Sequence, residues 1–254
     1  MHVACSTRCF SKASLDEAMR SIAELNFHKL DLAINEKSNH LKPSEVVKDV
    51  GAAATRLRSK TGVMPAAITL EIDATDPKTF EKQFQATCEL ARVVRVPLIT
   101  LPAAPHGSDV NQEVARLKNL VKIADRTGIL LAVPTWMGTL PEDPDVAVDL
   151  CQRVLGLGLT LDPSHYAVGM NQGKPYDHVY PFVKHVHLRD TGRGLNQFQV
   201  HVGQGEIEYS RVIAQLSRFH YNRLLTVDIQ DTVEMEKPQQ PEVRKLKFLL
   251  ESLV

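Results

Sequence analysis

Short apolar runs rich in valine, isoleucine and leucine recur along the chain. Each is followed by a longer stretch whose apolar positions return every three to four residues. The runs HVAC (2–5), FHKLDLAI (27–34), AAITLEI (66–72) and VPLITL (96–101) predict strands in the first half. In the second half GILLAV (128–133), LGLTL (157–161), VKHVHL (183–188) and RLLTVDI (223–229) predict four more. Between them, SLDEAMRSIAEL, PSEVVKDVGAAATRLRSK, PKTFEKQFQATCELARVV, SDVNQEVARLKNLVKIADRTG, DPDVAVDLCQRV and EYSRVIAQLSRF read as amphipathic helices, and PEVRKLKFLLESLV closes the series. Ser14, Pro43, Pro77 and Ser108 stand where helices open, and Gly62 and Gly128 where they stop. NQGKPYDHVYPF, before the seventh run, carries two prolines and is the weakest helical stretch.

Strands that alternate with helices pair in parallel through right-handed crossovers. Eight such units over residues 1–254 predict one α/β domain, a single (β/α)8 TIM barrel. No GxGxxG follows the first run, which argues against an open dinucleotide-binding sheet.

Composition narrows the function classes. Lys plus Arg equals Asp plus Glu at 30 each, so no basic field gathers nucleic acid. No run is long enough for a membrane span, and MHVACSTRCF lacks a signal-peptide pattern. The four cysteines are too scattered for a disulfide framework or a zinc knot. A cytoplasmic protein without nucleic-acid or membrane partners is expected; whether two barrels pair as a homodimer stays open.

Barrel enzymes carry their chemistry at the C-terminal ends of the strands. Side-chain alternation puts Gly158, Thr160 and Asp162 on one face, His185 and His187 on another, and Thr226 and Asp228 on a third. Three consecutive strands thus bring Asp162, His187 and Asp228 to one rim. Two carboxylates and an imidazole suit a divalent ion such as Mn²⁺, Mg²⁺, Co²⁺ or Zn²⁺, with positions left open for substrate. His185, one step deeper, reads as a hydrogen-bonded core histidine.

LTLDPSHY, HVHLRDTGRG, VGQGEIEYSRVI and LLTVDIQD, in this order, resemble the xylose-isomerase-like TIM barrels. That superfamily includes ketose 3-epimerases, hydroxypyruvate isomerase-like enzymes, inosose dehydratases and endonuclease IV. In its epimerase branch a divalent ion is held by a Glu, an Asp, a His and a Glu after strands five to eight. By this resemblance Asp162 and His187 are metal ligands, His165 binds substrate, and Arg193 contacts substrate hydroxyls. The strand-five motif departs from the pattern: Pro134 stands at the Glu position and Trp136 at the His position. Asp228 replaces the strand-eight Glu. Loss of the strand-five ligand is expected to weaken or abolish the ion and to remove one of two opposed bases. The resemblance implies a metal-dependent sugar or sugar-acid isomerase or epimerase, or a related lyase, for which Asp228 and His165 are the remaining candidate catalytic groups. Trp136 reads either as a ring that stacks on substrate or as one that fills the volume of the lost Glu and His. The alternative is a catalytically degenerate barrel that binds a carbohydrate-like ligand or a partner.

Overall fold

Alternation of side chains across eight short strands decides what lies inside this protein, whose computed structural model describes residues 1–58, 61–230 and 240–254. The strands are β1 (His2–Ser6), β2 (Lys29–Ile34), β3 (Met64–Leu70), β4 (Leu98–Thr100), β5 (Leu130–Pro134), β6 (Leu157–Leu161), β7 (Val183–Leu188) and β8 (Leu224–Val227). All neighbours are parallel, and β1 pairs with β8, so the sheet closes in chain order into a barrel. The helices are α1 (Leu15–Glu24), α2 (Pro43–Lys48), α3 (Val50–Leu57), α4 (Pro77–Val93), α5 (Val110–Asp125), α6 (Pro144–Arg153), α7 (Pro163–Ala167), α8 (Tyr209–Arg218) and α9 (Gln240–Glu251). This is the (β/α)8 TIM barrel that the pattern of apolar runs predicts.

Each strand sorts its residues to two cores. One set, including Leu30, Leu32, Ile34, Ile68, Leu70, Leu159, Leu161, Val186 and Leu188, joins the large cluster beneath the helices. The other parity points into the barrel. Its floor is a separate apolar cluster of Ala4, Ala67, Leu98, Ala132 and Leu224. Above that floor the filling turns polar: Asp31, Thr69, Thr100, Thr160, His185, His187 and Thr226 are all buried. Thr100 and Thr160 meet through their hydroxyls at 2.6 Å. Buried polar side chains are tolerated only when they bond to one another, and that need concentrates polar residues in this layer.

Local signals place the helix starts. Ser14 and Glu17 form a capping box at α1, while Asp76 caps α4 with Pro77 in its first turn. Asp109, one residue beyond the expected Ser108, caps α5 by accepting from the Asn111 and Gln112 N–H groups. Two expectations change. The helix expected over 43–60 is broken at Asp49, whose extended backbone ends α2 while its carboxylate caps Ala52 of α3; positions 59 and 60 lie outside the described residues. The proline-bearing stretch before β7 forms only a 3-10 segment, Asp177–Phe182. Among the described residues no helix is long and apolar enough to cross a membrane.

Candidate active site at the barrel mouth

Asp162, His187 and Asp228 stand at the C-terminal ends of β6, β7 and β8, and strand parity brings them together as expected. One ligand atom from each lies within 4.8 Å of the others, and all three residues are fully buried. Asp162 also caps α7, accepting from the Ser164 N–H at 3.1 Å and from the Ser164 hydroxyl. His165, one turn along α7, sits with Nε2 3.5 Å from Asp162 Oδ2. Its Nδ1 accepts from the Met137 N–H at 2.9 Å, which leaves the proton on Nε2. Burial lowers the His165 pKa to about 4, so the ring is neutral near pH 7 and Nε2 is a donor.

Three groups in this site carried no assignment from sequence. Arg189, two residues beyond His187 on the same inward parity, is buried, and its Nη2 donates to both Asp162 Oδ2 and Asp228 Oδ2 at 2.8 Å. Arg8, just past β1, approaches Asp228 Oδ2 at 3.5 Å through Nη1. Oriented to satisfy its neighbours, the Gln230 amide oxygen accepts from Arg189 Nη1 at 3.0 Å and Arg8 Nη2 at 2.5 Å. Asp31, in the middle of β2, is the third. Its Oδ2 takes the Nε2 protons of His185 and His187, each at 2.8 Å, and the Thr69 hydroxyl donates to the same carboxylate at 3.0 Å. His185 is thus the hydrogen-bonded core histidine expected, with Asp31 as its partner.

The charges set one another's ionisation. Burial opposes charge on Asp228, but Arg8 and then Arg189 outweigh it and hold the carboxyl well below the usual range. Asp162 is lowered in the same way, against its burial, chiefly by Arg189. Asp31 is also held low, because its two histidine hydrogen bonds outweigh burial. For His187 burial works downward, yet the bond to Asp31 and the fields of Asp228, Asp31 and Asp162 leave its pKa raised. His185 goes the other way, since burial dominates there.

Aromatic rings roof the cluster. The Arg8 guanidinium carbon lies 5.1 Å from the Trp136 ring centroid, and that of Arg189 lies 4.9 Å from Phe198. Phe198 also meets His165 edge-on at 4.7 Å. Trp136 is therefore seated against a cation. Arg193 is not brought to this cluster: its side chain is 79% exposed and pairs with Glu206 at 3.1 Å. The reason is the loop after β7. Asp190 accepts from the Thr191, Gly203 and Gly205 N–H groups and turns the chain so that Arg193 faces a surface groove with Gln172 and Tyr176.

Asp162, His187 and Asp228 are of the right chemical type for a divalent ion, and Asp31, His185 and His187 form a second group of ligand type. With the side chains as seated, neither fits one. Both Oδ2 atoms of the first group are held by one guanidinium nitrogen, and the strand-five position holds Pro134. In the second, Asp31 Oδ2 already binds both Nε2 atoms.

Comparison with known proteins defines the class. The family model described as xylose isomerase-like TIM barrel matches residues 19–251, and the chain belongs to that family. No curated protein matches it significantly in sequence. Solved structures share the fold across essentially their whole length. D-allulose 3-epimerase from Methylomonas sp. superposes with a TM-score of 0.76 at 13% identity, covering 100% of this chain and 98% of that one. D-psicose 3-epimerase from Clostridium cellulolyticum H10 gives 0.73 at 12% identity, covering 100% and 99%. The 3-keto-D-glucoside 4-epimerase YcjR from E. coli gives 0.73 at 14%, covering 99% of each chain.

Proposed function

We propose that this barrel is an isomerase-type enzyme of a small sugar or sugar acid, moving a proton beside a carbonyl at the mouth formed by β6, β7 and β8. The observation that carries the reading is a convergence of unsatisfied polar atoms. Among the described residues Arg8 Nη1, Trp136 Nε1, His187 Nδ1, Arg189 Nε and Asp228 Oδ1 are all buried without a hydrogen-bond partner. A purely structural core satisfies its polar groups. A polyhydroxylated ligand, with alternating donors and acceptors, complements such a set. Family membership supports the same substrate class.

In this reading Asp228 Oδ1 accepts the substrate proton, and the guanidinium N–H groups of Arg8 and Arg189 hold the oxygen on which charge develops. His165 donates from Nε2 to a substrate hydroxyl. Pro134 leaves no base opposite Asp228, so proton transfer on one face, an isomerisation, is favoured over two-base epimerisation. No step is assigned to a metal.

A second reading is supported by the same guanidiniums. They hold Asp228 below the usual carboxylate range, which weakens it as a base and favours a barrel that binds a carbohydrate-like ligand without turnover. The test is NMR in D₂O with a panel of aldoses, ketoses and sugar acids. Turnover incorporates solvent deuterium at the carbon next to the carbonyl, and Asp228→Asn abolishes it. Calorimetric binding with no exchange for any compound supports the second reading instead.

A further inference from the structure

The resident cation of this site is a side chain. We propose that Arg189 occupies the place between Asp162 and Asp228 that a divalent ion would take, and that the barrel holds its ligand without a metal.

The geometry is specific. One nitrogen, Arg189 Nη2, lies 2.8 Å from Asp162 Oδ2 and 2.8 Å from Asp228 Oδ2, bridging carboxylates from two strands. Arg189 is 1% exposed, capped by Phe198 on one side and held through Nη1 by Gln230, so its position is fixed by packing as well as by charge. For an ion to bind both Oδ2 atoms, this guanidinium would have to leave a buried seat and strand its own charge. The neighbouring strand offers no carboxylate to compensate, because the Pro134 side chain has no ligand atom.

The pairing of charges points the same way. Among the directly paired groups, the carboxylates of Asp162 and Asp228 are matched by the guanidiniums of Arg8 and Arg189, while the field of Glu71 also falls on Arg8. A divalent ion brought between Asp162 and Asp228 would meet the repulsion of two guanidiniums already paired there. A guanidinium also retains part of what an ion would supply. Among the described residues Arg189 Nε makes no hydrogen bond, and Arg8 Nη1 has only its 3.5 Å approach to Asp228, so both remain as donors for ligand oxygens. Their directions are fixed by the fold, whereas an ion brings exchangeable coordination positions. The proposal concerns the cation alone, so it stands or falls separately from turnover.

The experiment is Mn²⁺ binding, by elemental analysis after dialysis and by calorimetry, on the wild-type chain and on Arg189→Gln. The wild-type chain is expected to bind no Mn²⁺ more tightly than about millimolar, an affinity near −4 kcal/mol. Arg189→Gln, which frees both carboxylates, is expected to bind at least about tenfold more tightly and to be stabilised against heat by Mn²⁺. Stoichiometric micromolar Mn²⁺ binding by the wild-type chain, lost in Asp162→Ala, would overturn the proposal. So would a folded Arg189→Gln variant with no gain in affinity. Should that variant not fold, the wild-type measurement with Asp162→Ala still decides.

Discussion

Replacing Asp31 by asparagine tests whether the polar layer of the barrel is held by charge. The carboxylate receives four short contacts on two oxygens: His185 Nε2 and His187 Nε2 at 2.8 Å, and the Thr69 hydroxyl at 3.0 and 3.1 Å. Asparagine keeps the volume but loses the charge, and turns one oxygen into an N–H₂ that cannot accept. Losing one partner of a buried ion pair costs about 3–5 kcal/mol. At roughly 2–4 °C per kcal/mol for a chain of this size, Tm should fall by about 6–20 °C. The dependence on pH has a definite sign. The Asp31 carboxyl is held below its ordinary value, so its contribution is present above the unfolded pKa, near 3.9, and lost as pH falls below it. His187 is raised, so its share is complete below its unfolded pKa, near 6.5, and lost as pH climbs through the folded value. The difference between wild type and Asp31→Asn should therefore be widest between about pH 4 and pH 6.5. Thermal and urea unfolding followed by circular dichroism across pH 3–9 would measure it. A difference below about 1 kcal/mol, the worth of a neutral hydrogen bond, or one that does not change with pH, would refute the argument.

Two further outcomes test local structure. Ser14→Ala removes the capping box of α1, in which the Glu17 carboxylate accepts from the Ser14 N–H at 2.9 Å and its hydroxyl at 2.7 Å. The expected loss is about 1 kcal/mol, read as a fall of a few degrees in Tm, with Ser14→Asp recovering most of it. At Gly205 a Cβ would collide with the Asp190 carboxylate and come within 2.7 Å of the Thr191 nitrogen. Gly205→Ala should cost about 1–3 kcal/mol and speed amide exchange at Gly203, whose N–H donates to Asp190 at 2.6 Å.

Strand parity made the architecture and half of the site readable. The eight runs, and the meeting of Asp162, His187 and Asp228, follow from counting residues in twos. The same count carried one step further in VKHVHLR places Arg189 beside His187, and in KLDLAI it marks Asp31 as a lone acid on the inward face of an apolar strand. Those signals were present but ambiguous, since a charge at a strand end is usually solvated and a buried one needs partners from distant strands. Arg8 gave no comparable sign, because it follows β1 in a 3-10 turn whose direction is set by tertiary packing. Arg193 lies apart from the buried cluster for the opposite reason. Its spacing from His187 was right, but Asp190 gathers three backbone N–H groups and redirects the loop. The break at Asp49 was hidden because the apolar period runs on through it.

The hydrogen bonds from β7 to Asp31 join residues 154 and 156 positions apart, and β1 reaches β8 only when the two ends of the chain meet. Topologies rich in contacts so distant in sequence fold slowly. Before closure the first half of the chain presents an acid in a strand with neither histidine to receive it. The second half holds two histidines, two carboxylates and Arg189, but lacks Arg8 and Asp31. Neither half thus holds all the groups of this mouth, which exists only in the closed barrel.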